Sequence, residues 1–115
     1  MKNCVFCEIG GNPEVEAKRI IYSDNFYVGM RVLHPESEGH FILFPKLHYS
    51  EMSQIGNAGK FFEKVVELAE KQVKELGASA YVLKLNNNVY KLENDPMHVG
   101  HIHMHVVPRY AESKL

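Results

Sequence analysis

Apolar residues recur along this chain at two different periods, and the switches between them mark out its elements. Ile20-Ile21-Tyr22 and Phe26-Tyr27-Val28 are aromatic and β-branched runs on either side of Ser23-Asp24-Asn25. That pattern predicts a β-hairpin around a short polar turn. Residues 33–39, with Pro35 and Glu36-Ser37-Glu38, read as a loop. Gly39-His40-Phe41-Ile42-Leu43-Phe44-Pro45 predicts a third strand, apolar enough to be buried on both faces. From Met52 to Leu76 the spacing changes to threes and fours. Phe62, Val65, Val66, Ala69, Val73 and Leu76 fall on one stripe of a helix, with Asn57 suited to cap its start and Gly77 to stop it. Glu63, Lys64, Glu67, Lys71 and Lys74 form its solvated face. Ala80-Tyr81-Val82-Leu83-Lys84-Leu85 predicts a fourth strand, and residues 86–100 a polar connection. At the N-terminus Phe6 and Ile9 anchor a short helix or turn, which Gly10-Gly11-Asn12-Pro13 ends.

The last run, Gly100-His101-Ile102-His103-Met104-His105-Val106-Val107-Pro108-Arg109-Tyr110, alternates strictly. A period of two is that of a strand, so His101, His103 and His105 share one face, about 7 Å apart, with Ile102, Met104 and Val106 behind them. Strand propensity gives no reason to prefer histidine at three such positions. Crowding three imidazoles that titrate near neutrality invites repulsion unless some stay uncharged. Spacing alone leaves two functional readings. Two of the histidines share a metal ion, or one neutral imidazole is a nucleophile or base whose neighbours set its tautomer. The count of elements predicts an α+β fold: an antiparallel sheet of about five strands with one main helix on a face.

Composition narrows the function classes. At 45% hydrophobic and 23% charged, with a formal net charge of −1, the chain has no basic field for a nucleic acid polymer or a membrane surface. No apolar run approaches the roughly 20 residues that span a bilayer, and no secretory leader pattern is seen, so a cytoplasmic protein is expected. The 115 residues suit one domain with a modest core. Two cysteines, Cys4 and Cys7, are too few for a disulfide framework. As Cys-x-x-Cys they read as a redox pair, as half of a tetrahedral zinc site, or as two free thiols.

Three ordered segments resemble the histidine-triad (HIT) family, in the Cys-x-x-Cys branch similar to Hint-like nucleotide-binding proteins. His101-Ile102-His103-Met104-His105-Val106-Val107 looks like its His-φ-His-φ-His-φ-φ motif, where φ is apolar. Pro35 followed by Gly39-His40-Phe41-Ile42-Leu43-Phe44-Pro45-Lys46-Leu47-His48 resembles its Gly-His strand and Pro-Lys-x-His. Cys4-Val5-Phe6-Cys7 resembles its opening. The resemblance implies that residues 1–115 form a single HIT domain and that the domain pairs as a homodimer with one continuous sheet. It implies that His103 attacks the α-phosphorus of a nucleotide, forming a nucleotidyl-histidine that water hydrolyses, with His105 and His40 completing the catalytic cluster. Val5, Phe6, Ile9, Met30, Asn86, His98, His103 and His105 match nucleotide-binding positions. Cys4, Cys7, His48 and His101 would hold a structural Zn2+.

Two departures bear on the substrate. Val32 stands where the family carries an acid or amide for the ribose hydroxyls, and Met97 and His98 stand where Gln and Ser or Thr contact phosphate. The leading expectation is a hydrolase or transferase acting on a purine nucleoside phosphoramidate or an adenylated small molecule. A dinucleoside polyphosphate hydrolase and a zinc-stabilised, non-catalytic nucleotide- or partner-binding dimer are the alternatives, with a metallohydrolase centred on His103 and His105 as a fourth.

Overall fold

The computed structural model describes residues 4–93 and 100–111. A short helix α1 (Val5–Gly11) is followed by strands β1 (Ile20–Ser23), β2 (Tyr27–Arg31) and β3 (Phe41–Pro45). The main helix α2 (Ala58–Leu76), strand β4 (Ala80–Leu85), a single turn α3 (Tyr90–Glu93) and strand β5 (Met104–Arg109) complete the chain. The five strands form one antiparallel sheet in the order β1-β2-β3-β5-β4. The α+β architecture is the one the element count implied.

Alternation along the strands divides the core in two. On one face Phe41, Leu43, Ile102, Met104 and Val106 meet Phe61, Val65, Leu68 and Ala69 of α2. On the other, Val28, Met30, Ile42 and Phe44 meet Cys4, Phe6 and Ile9 at α1. Strand β3 lies between β2 and β5, and all five of its residues are buried because each face is covered by a helix. This explains why its sequence is apolar without alternating.

Helix α2 begins at Ala58, as Asn57 at its cap implied: the Asn57 side chain accepts from the Lys60 N–H at 3.0 Å, and Met52–Gln54 is a separate 3-10 turn ahead of it. The apolar stripe needs correction. The buried stripe is Phe61, Val65, Leu68, Ala69 and Gln72, while Phe62 is half exposed. Two adjacent phenylalanines could each have headed a stripe at this spacing, and the sheet accepts only the one whose rows continue through Val65 and Leu68.

The histidine strand starts later than its alternation suggests. Pairing begins at Met104, so His101 and His103 sit on an extended lead-in held by an Ile102 N–H bond to the Tyr49 carbonyl at 2.7 Å. The alternation of faces survives: Ile102 is in the α2 core, and the His101 and His103 rings contact Phe6 of α1.

Candidate functional site

The α1 face of the sheet carries two adjoining groups of histidines. In the first, Cys4 caps α1, its sulfur accepting from the Cys7 N–H at 3.3 Å. His48 follows β3, and His101 precedes β5. Cys4 Sγ lies 3.3 Å from His101 Nδ1, and Cys7 Sγ lies 3.1 Å from His48 Nδ1 and 3.6 Å from His101 Nδ1. All four donor atoms lie within 4.8 Å of one another. A tetrahedral ion with Zn–S near 2.3 Å and Zn–N near 2.0 Å has S···N edges of about 3.5 Å, so these residues form a possible metal site that fits zinc. The second ring nitrogen of His101, Nε2, lies 2.7 Å from the Pro45 carbonyl. Donating there leaves the Nδ1 lone pair facing the sulfurs, which is how metal-ligating histidines are oriented. Burial holds the His101 imidazole down at about 4 and pushes the Cys7 thiol up to about 11, with Cys4 adding to the latter. A divalent cation opposes the second effect by favouring thiolate.

The second group is His103, His105 and His40. His103 Nδ1 lies 2.8 Å from the His101 carbonyl and must donate to it, which leaves the lone pair on Nε2. The His40 ring is tied at both nitrogens. The Glu36 N–H donates to Nδ1 at 3.1 Å, so Nε2 carries the proton and donates to His105 Nδ1 at 2.9 Å. A neutral His105 then carries its own proton on Nε2. Neutrality follows from burial, which lowers His40 and brings His105 down to about 4; a proton on His103 or His40 would add repulsion at His105, as the Lys84 ammonium does. The His103 and His105 rings meet edge to face at 5.1 Å. One ring thus presents a lone pair on Nε2 and its neighbour an N–H on Nε2. Ile42 pairs with His105 across β3 and β5, which sets their relative position.

The residues expected to bind nucleotide fall into three situations. Phe6 stacks on Phe44 at 4.5 Å and meets the His103 ring edge to face at 5.1 Å. Ile9 and Met30 are buried in the same cluster, Val32 packs on its margin, and Val5 is exposed beside it. Asn86 is exposed at the end of β4. Its neighbours are engaged elsewhere: Asn87 Oδ1 accepts from the Met52 N–H at 2.7 Å, and Asn88 Nδ2 donates to Glu51 at 3.1 Å. Met97 and His98 lie outside the described residues. A groove of about 780 Å³ is on the other side of the sheet, lined by Tyr27, Tyr49, Ile55, Phe61 and Lys64, among others, and by none of the triad histidines. The Glu36 amide and the Pro45 carbonyl escaped the reading of the sequence, because main-chain groups carry no residue signature.

The HIT-domain family model matches residues 13–112. An uncharacterized HIT-like protein of Methanocaldococcus jannaschii is 32% identical over 112 residues, covering 93% of this chain and 79% of the relative. The adenylylsulfatase HINT3 of Arabidopsis thaliana is 28% identical over 111 residues, covering 93% of this chain and 52% of that protein. A zinc-bound histidine triad family protein from Mycobacterium smegmatis superposes with a TM-score of 0.72 at 26% identity, covering 98% of this chain and 79% of that one. This chain belongs to the HIT family. No helix among the described residues is long and apolar enough to cross a membrane.

Proposed function

We propose that the protein is a HIT-family hydrolase or nucleotidyl transferase. Its substrate would be a purine nucleoside phosphoramidate or an adenylated small molecule, cleaved at the α-phosphorus. The observation that carries this reading is the His103 Nδ1 bond to the His101 carbonyl, which commits the lone pair to Nε2. In the first step Nε2 bonds to the α-phosphorus, and the bond from phosphorus to the leaving group breaks. A carboxylate or sulfate leaves as the anion, and an amine takes a proton from water. The His105 Nε2–H donates to the charge developing on the phosphoryl or leaving atom. In the second step water attacks the same phosphorus, the N–P bond breaks, and nucleoside monophosphate departs. The Arabidopsis relative, named an adenylylsulfatase, supports adenylated small molecules as a substrate class. Zinc held by Cys4, Cys7, His48 and His101 would brace the N-terminus and the His101 backbone that orients His103. Phe6, Ile9 and Met30, with Val5 at the rim, would form the apolar wall for the base, and Asn86 and His98 would approach phosphate. A homodimer joined through a sheet edge is part of the same reading.

The test is incubation of zinc-loaded protein with adenosine 5′-phosphoramidate. AMP is expected from wild type and only background from His103→Ala. Rapid acid-free quenching and peptide mass spectrometry should find the nucleotidyl adduct on His103. Turnover by His103→Ala at the wild-type rate, or an adduct on another residue, would overturn the reading. His105→Ala is expected to lower kcat by about 10²–10³, the cost of removing one donor to developing charge.

A further inference from the structure

The His40–His105 pair is set by a main-chain amide, and that amide belongs to a loop held from outside the site. Residues 33–39 join β2 to β3. Ser37 Oγ donates to the Pro108 carbonyl at 2.5 Å, and Tyr110 Oη donates to the Glu38 carbonyl at 2.8 Å, pinning the far end of the loop to β5 and the residue beyond it. Glu36 is fixed differently. Its N–H points inward to His40 Nδ1, and its carboxylate reaches out to Lys84 Nζ. Lys84 is on β4, in register with His105 on β5. The ion pair therefore crosses over β5 at the level of His105, from the loop to the edge strand. Arg109, at the end of β5, is a further cation acting on Glu36 and on His40.

We infer that Lys84 is a positioning residue: through Glu36 it holds the loop amide on His40 Nδ1 and so fixes on which nitrogen His105 carries its proton. The chain of donors runs one way. With the Glu36 N–H in place, His40 must protonate Nε2, His105 must accept at Nδ1, and the His105 proton is on Nε2. Without that amide, His40 can take its other neutral tautomer. Nε2 of His40 then becomes the acceptor, His105 must donate from Nδ1, and its Nε2 loses the hydrogen offered to the phosphoryl group. Both charged side chains are nearly half exposed, so the pair contributes little to folding stability. Its effect is confined to the orientation of the loop amide.

This inference rests on the proposed role of His105 in catalysis, and two readouts keep the two ideas separable. The first is long-range 1H–15N correlation of the imidazole nitrogens in zinc-loaded protein. Wild type should show His40 and His105 each protonated at Nε2. Lys84→Met should move the His40 and His105 nitrogens toward the average of the two tautomers, and Lys84→Arg should restore them. The second is turnover of adenosine 5′-phosphoramidate. Lys84→Met should lower kcat roughly 10-fold, a part of what one general acid or donor contributes, with KM within about twofold and Lys84→Arg close to wild type. In a Glu36→Leu background, Lys84→Met should add nothing further, as expected of two residues acting through one contact. Unchanged ring nitrogens in Lys84→Met overturn the inference, and so does a rise in KM alone, which would make Lys84 a substrate-binding cation. If the ring nitrogens respond while wild type turns over no nucleotide, the positioning role stands and the proposed function fails.

Discussion

His101 and His103 are two residues apart and are oriented oppositely, because each is tied by a different ring nitrogen. His101 donates from Nε2 to Pro45 and turns Nδ1 toward the thiols; His103 donates from Nδ1 to the His101 carbonyl and keeps a lone pair on Nε2. Nothing in the alternating pattern distinguishes them, and the partner carbonyl does. His105 differs again, since burial, with the Lys84 ammonium nearby, holds it neutral. A histidine whose folded value is depressed stays unprotonated while the unfolded chain takes up a proton. The unfolded state then binds more protons between the ordinary value near 6.5 and the folded value of about 4, so stability falls as pH drops through that window. The melting temperature of zinc-loaded protein is expected to decline from pH 6.5 to 4. In His105→Gln the decline should be shallower at the same free zinc concentration.

At the scale of elements, α2 is held by its Phe61 row. Phe61→Ala should destabilise by about 3–5 kcal/mol, and Phe62→Ala, on the half-exposed side, by well under half of that. Urea denaturation of the two variants would measure the difference. The turn into β3 is equally particular. Gly39 has a φ of +88°, and a Cβ there would collide with Leu76 Cδ1. Gly39→Ala should therefore cost about 1–3 kcal/mol from backbone strain, with a further steric contribution. Most of these elements were legible from periodicity, including β3 as a doubly buried strand. The start of the helix was legible too, from Asn57 at its cap. The choice between Phe61 and Phe62 was not, since it depends on the sheet beneath.

Across the whole molecule, the metal site joins three parts that are distant in sequence: α1, the segment after β3 and the lead-in to β5. Cys4→Ser should lose the ion, measured by elemental analysis. Hydrogen exchange should then rise first in residues 4–11, because α1 is too short to persist unaided. Loosening should next reach His101, and with it the carbonyl that orients His103. Zinc affinity should rise with pH, since the Cys7 thiol must be deprotonated to bind. Zinc that stays bound in Cys4→Ser would place the ion elsewhere.

The strand periods, the apolar backs of the elements and the spacing of histidines and cysteines are all written in the order of residues. These are local properties, and neighbouring residues along the chain suffice to express them. Which nitrogen of each histidine carries the proton is set only in the folded molecule. That choice is made by carbonyls and amides from Pro45, Glu36 and His101, brought to the rings by sheet pairing and loop closure rather than by side-chain identity.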